Sequence, residues 1–210
     1  MKLPSALPLA LISALLLLGA CKLNVVTPPT ESSSTPTTGS SASPGSTAIG
    51  NIKLEVGSVA ASAAVLSLDR NMARLTGVTI ETSSDYAGWP KSRLNDGKLE
   101  TSWFTAAGDA ANKGTKPFIV MNFPEPVSVK AINLRGNREY KGGYDILEGR
   151  LTLHTSAGDG SFNVVLPQPD RDFSLRFASS IAGVTSIRFD ITKDESVDPG
   201  LSELEVDGSK

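Results

Sequence analysis

The sequence predicts an all-β fold, a sandwich of about eight antiparallel strands, on three observations. Apolar residues recur at every second position: Ile187, Phe189 and Ile191 alternate with Arg188, Asp190 and Thr192, as in a strand with one buried face. Turn chemistry punctuates such runs at Pro124-Glu125-Pro126, Gly142-Gly143, Ala157-Gly158-Asp159-Gly160 and Pro199-Gly200. From residue 49 onward the composition is globular, and the remaining ~160 residues suit one domain.

The elements follow in chain order. Residues 1–20 read as an export signal: Lys2 supplies a positive start, Ala6 to Leu18 is apolar, and Gly19-Ala20 closes on small residues. The run is shorter than the ~20 apolar residues that span a bilayer, which favours a cleaved segment over a buried N-terminal helix. Leu18-Gly19-Ala20-Cys21 resembles the lipobox of bacterial lipoproteins, whose cysteine is diacylated after cleavage. Cys21 is the single cysteine in the chain, so no internal disulfide can form. Two acyl chains hold a protein stably on a membrane. Lys22 after the cysteine, by the same resemblance, favours the outer membrane or cell surface.

Residues 21–48 form a tether. From Thr27 to Ala48 only Glu31, Ala42 and Ala48 are not Ser, Thr, Pro or Gly. Such a stretch buries too little apolar surface to offset its chain entropy, and its mean reach is roughly 25 Å. Residues 49–70 lead into the domain. Ser58 to Ala73 reads either as an alanine-rich helix or as the continuation of a leading strand.

Strands are then expected at Leu75–Thr82, Phe118–Phe123, Val127–Leu134, around Leu151 and Leu153, at Phe162–Leu166, around Phe173–Phe177, at Ile187–Ile191 and at Leu201–Val206. Lys and Arg number 20 against 22 Asp and Glu, interspersed and without a basic run. That argues against nucleic acid, which needs a concentrated basic face. One histidine, one cysteine, no Gly-x-Ser-x-Gly elbow and no His-x-x-x-His pair argue against catalysis. Carboxylate pairs such as Asp145 and Glu148 show no spacing that demands glycosidase geometry.

With the strands placed, a family resemblance emerges. NMARLTGVTIETSSDYAGWPKSRLNDGKLETSWFT, residues 71–105, resembles the opening of a factor V/VIII type C, or discoidin, domain, with its D-G-x-x-x-T-x-W segment. PFIVMNFPEPVSVKAINLRG looks like the paired central strands of that family, LTLHTSAGDGSF like its S-x-D-G hairpin, and GVTSIRFDIT and GLSELEVDG like its last two strands. The resemblance covers residues 71–210 and implies a discoidin-type jelly-roll of the galactose-binding-like class. Without a disulfide to tie its ends, the chain is more similar to bacterial carbohydrate-binding modules than to the animal forms.

That resemblance implies a structural calcium ion. Its ligands would be the carbonyls of Arg93, Lys98 and Ser202, the carboxylates of Asp96 and Glu203, and the carbonyl and hydroxyl of Thr101. The chemistry suits calcium, a hard cation that takes 6–8 oxygens. The alternative is a plain turn in which Asp96 bonds its own backbone. Trp103 is expected in the core beside this loop. The loops SSDYAGWPKS and RGNREYKGGYD offer Tyr86, Trp89, Arg135, Asn137, Arg138, Tyr140 and Tyr144 as a glycan platform, because pyranose recognition needs an aromatic face plus polar groups. His154 is either solvated or a further ligand contact. The expected function is a membrane-anchored, non-catalytic binding module for carbohydrate or envelope glycan. The alternative is an envelope protein-interaction or adhesion domain.

Overall fold

Period-two alternation does produce strands, but the two longest of them run through turns that the sequence predicts. The computed structural model describes residues 49, 52–140, 142–195 and 198–210; the export segment, Cys21 and the tether lie outside them. Eight strands follow in order: β1 Leu54–Ser58, β2 Thr79–Thr82, β3 Trp103–Phe104, β4 Phe118–Gly136, β5 Ile146–Thr155, β6 Gly158–Val165, β7 Asp172–Asp194 and β8 Gly200–Ser209. Phe118–Phe123 and Val127–Leu134, expected as separate strands, are the two halves of β4. The runs at Phe173–Phe177 and Ile187–Ile191 likewise join into β7.

The two long strands carry the architecture. β4 begins between β2 and the C-terminal half of β7, with Thr82 opposite Ile119 and Ile119 opposite Phe189. It ends between β8 and the N-terminal half of β7, with Leu134 opposite both Leu204 and Phe173. Register shifts between Asn122 and Val127 mark the corner. Pro124 and Pro126 lie there, and proline cannot donate to a ladder, so the pairing breaks and the strand bends. One layer is therefore β2, β4, β7, β5 and β6; the other is β1, β7, β4, β8 and β3. All pairings are antiparallel, so the chain folds as an all-β sandwich. Between the layers lie Leu134, Leu151, Leu175, Phe189 and Trp103, each at most 2% exposed.

The leading segment takes the strand reading in part. β1 pairs antiparallel with β7, Leu54 opposite Phe177, and ends at Ser58. The helix reading of Ser58–Ala73 fails. Among the described residues this stretch holds only a 3-10 turn, Met72–Arg74, capped by Asn71, whose Oδ1 accepts the Ala73 N–H at 3.2 Å. Tertiary bonding holds the rest extended: Leu66 N–H donates to Glu205 Oε1 at 2.5 Å, and Arg135 Nη2 donates to the Ala63 carbonyl at 2.7 Å. Side chains from the sandwich satisfy backbone groups that a helix would have paired internally.

Candidate functional site

Three loops meet at one end of the sandwich: that between β2 and β3, that between β4 and β5, and that between β7 and β8. The first is folded back by a bridge between Tyr86 and Trp89, with the Tyr86 N–H donating to the Phe104 carbonyl at 2.9 Å. The second is held by Asn137, whose Oδ1 accepts the Tyr140 N–H at 3.0 Å. The third is tied to the second where the Gly200 N–H donates to the Tyr144 carbonyl at 3.1 Å. Glu139 links the first two, accepting from Trp89 Nε1 and from Arg93 Nη1.

Tyr86, Trp89, Phe104, Tyr140, Tyr144 and Asp198 line a pocket containing about 380 Å³ of empty space, toward the small end of ligand sites. Phe104 is its floor, 3% exposed, whereas Tyr86 and Tyr140 stand 37% and 40% exposed at its rim. The rings touch in sequence: Trp89 lies 6.2 Å from Phe104 and 6.0 Å from Tyr140, and Tyr140 lies 5.2 Å from Tyr144. Most of these contacts are edge-on or tilted, the favoured geometry for aromatic pairs. Burial pushes the Asp198 carboxyl upward.

Four residues expected from sequence, Tyr86, Trp89, Tyr140 and Tyr144, gather in this pocket. The others stand elsewhere. Arg135 is 1% exposed, with Asp172 at 3.6 Å and Glu205 at 3.7 Å; it is an interior charge, which corrects its assignment as a ligand contact. Asn137 is fully buried and positions its loop from within. Arg138 Nη2 donates to Asp172 at 2.5 Å, and its side chain lines a separate groove with Asp170 and Arg171 on the other side of Tyr140. His154 lies near the far end of β5, a ten-residue strand that starts beside the pocket, so about 30 Å of strand separates the two. There it pairs with Asp159 at 3.0 Å. It is no part of the pocket.

Sequence reasoning missed Phe104, Glu139 and Asp198. Phe104 follows a core tryptophan, and successive strand residues face opposite ways, so its position was open to inference. No periodicity marks Asp198.

The Asp96 loop lies at the start of β8. Trp103 is fully buried beside it and donates Nε1 to Asp85 at 2.9 Å. Asp96 accepts from the Lys98 N–H at 2.8 Å and from the Thr101 hydroxyl at 2.9 Å, as the plain-turn alternative requires. Glu203 on β8 reaches across to accept the Gly97 N–H at 3.0 Å. Gly97 has φ +79°, and a Cβ there would lie 2.4 Å from the Arg74 guanidinium, so only glycine suits the position. Glu203 Oε2 is buried without a hydrogen-bond partner. Burial, partly relieved by the Gly97 N–H and aggravated by Asp96, pushes its carboxyl up to about 8. Arg93 and Thr101 are half-buried, Lys98 is exposed, and Ser202 is buried next to Glu203. Among the described residues no three of His, Cys, Asp and Glu gather at one point. The loop thus offers two carboxylates and one orphaned buried oxygen, a hard donor set that fits a calcium ion completed by carbonyls.

No family model matches the sequence, and no curated protein matches it. Solved structures do match the fold. The family 32 carbohydrate-binding module of Clostridium perfringens NanJ, solved with galactose, superposes with a TM-score of 0.54 at 17% identity, over 61% of this chain and 92% of that one. The lectin domain of lectinolysin, complexed with Lewis B antigen, gives 0.54 at 14%, over 67% and 97%. An F5/8 type C domain from Bacteroides fragilis gives 0.54 at 16%, over 69% and 99%. The fold is that of the F5/8 type C, or discoidin-like, domains.

Proposed function

We propose that this chain is a non-catalytic carbohydrate-binding module, held at the cell envelope by an acylated Cys21 and a polar tether. The observation that carries the binding reading is the cluster of aromatic side chains lining one pocket at the loop end of the sandwich. Sugar rings present C–H faces that pack on aromatic rings, while polar groups select the hydroxyls. Here the half-exposed Tyr86 and Tyr140 offer the platform, and Asp198 accepts from hydroxyls. The relatives in fold include modules solved with galactose and with a Lewis antigen, which supports the same reading.

Calcium, in this proposal, is structural. Asp96, Thr101 and Glu203 would hold it together with the carbonyls of Arg93, Lys98 and Ser202. The ion supplies positive charge to two carboxylates that the fold brings close. It reacts with nothing; it fastens the loop before β3 to the last strand.

The test is a glycan array with galactosides, amino sugars and cell-wall fragments, followed by titration of the hits. Tyr140→Ala and Trp89→Ala are expected to weaken binding about tenfold each, as loss of a stacking ring does. His154→Ala should leave affinity unchanged. An array without any hit, for protein shown to be folded, overturns the carbohydrate reading and favours a protein partner.

A further inference from the structure

The proposed pocket has a charge preference, and the following inference rests on the carbohydrate-binding reading. Its walls are Trp89, Phe104 and three tyrosines, Tyr86, Tyr140 and Tyr144. The faces of such rings are negative and attract cations. Trp89 is further enriched, because its Nε1–H donates to the Glu139 carboxylate; a charge-assisted bond of this kind pushes electron density back into the indole.

The formal charge on the lining has the same sign. Among the described residues that line the pocket, Asp198 alone carries charge, and no Lys, Arg or His is present. Neighbouring cations are turned to other work. Arg93 binds Glu139 at 3.2 Å and the Ser102 carbonyl at 3.1 Å, on the Nε1 side of Trp89. Arg138 and Arg171 pair with Asp172 and Asp145, and both line the groove on the other side of Tyr140. Burial that pushes the Asp198 carboxyl upward shows that its negative charge is unfavourably solvated where it stands.

We propose that the pocket selects a sugar bearing a free, protonated amine, an unacetylated hexosamine, over its N-acetylated and hydroxyl counterparts. The ammonium sits between Asp198 and the tyrosine and tryptophan faces while the C–H face of the pyranose packs on the rim. An N-acetyl group removes the charge, and a uronate or sialate brings the wrong one.

The experiment titrates the full chain at pH 6, where the amine is protonated, with methyl glucosaminide and methyl galactosaminide. Their N-acetyl and plain hexoside counterparts are titrated in parallel. The amine is expected to bind about tenfold tighter than the N-acetyl sugar of the same stereochemistry, from a partly desolvated ion pair plus a cation–π contact. Asp198→Asn should collapse that ratio toward one. Raising salt should also compress it in the wild type, a readout that survives if the variant fails to fold. Equal or tighter binding of the N-acetyl or plain sugar overturns the proposal while the carbohydrate reading stands. A ratio unmoved by both Asp198→Asn and salt overturns it too. If no sugar of the set binds and the glycan array is also empty, both fall together.

Discussion

Arg135 lies between oxygens of three segments: Asp172 on β7, Glu205 on β8 and the Ala63 carbonyl of the leading segment. A charge so deeply placed is tolerated because each neighbour compensates it, and removing one partner leaves the others buried and uncompensated. Arg135→Ala is therefore expected to cost about 3–5 kcal/mol, measured by urea unfolding. Sugar affinity of the folded fraction should not change, since Arg135 is absent from the pocket lining. A loss below about 1 kcal/mol would mean that the charges are solvated after all. The sequence shows Arg135 as a polar residue alternating with Leu134, the signature of an exposed face. That face is covered. Asn133, Arg135, Glu203 and Glu205 form a polar layer across β4 and β8, and the leading segment lies over it, bonded to Arg135 and Glu205.

At the scale of elements, the pocket depends on how closely β3 approaches β8. Phe104 pairs with Gly200, and a Cβ on Gly200 would lie 2.3 Å from Phe104 Cδ1 and 2.5 Å from the Trp103 carbonyl. The missing side chain is what lets the pocket floor lie flat. Gly200→Ala should push Phe104 outward, destabilise the fold by about 1–3 kcal/mol as overpacking does, and weaken sugar binding. Gly57→Ala on β1 is the control, because nothing lies within 4 Å of its added carbon; a change within about 0.5 kcal/mol is expected there. Thermal melts and titrations of both variants check this, and equal effects would contradict it. From sequence, Pro199-Gly200 reads only as a turn. Its second role comes from a strand about a hundred positions earlier.

Across the whole molecule, the Asp96 loop and β8 join the first part of the domain to the last. An ion that binds only the folded chain stabilises it by RT ln(1 + [L]/Kd), about 2.7 kcal/mol at 100-fold saturation. Calcium should raise Tm in a concentration-dependent way, and Asp96→Ala or Glu203→Ala should abolish that dependence. The sign with pH follows from Glu203, whose acid is raised by burial from its ordinary 4.5 to about 8. In the metal-free chain its contribution to stability is fully present below about 4.5 and lost as pH rises toward 8. Calcium must displace that proton, so the gain in Tm should be larger at pH 8 than at pH 5. Identical melts with chelator and with calcium at pH 8 would reduce the loop to a turn. The proposed anchor has its own check: Cys21→Ser should abolish uptake of labelled fatty acid and shift the chain away from membranes on fractionation.

By itself the sequence determined the β class, the run of alternating strands and the aromatic loops, because these are local: alternation follows from backbone pleat, and turns from the residues that form them. Trp103 and the motif around Asp96 were legible for the same reason. Tertiary structure alone decided that Pro124-Glu125-Pro126 bends a strand instead of ending it, since a bend needs partners on both sides to hold it. It also decided that Phe104 and Asp198 join four residues of other loops while Arg135 and His154 do not. Which residues share a pocket depends on pairing between segments distant in the chain, and whether a polar face meets water depends on what later folds over it.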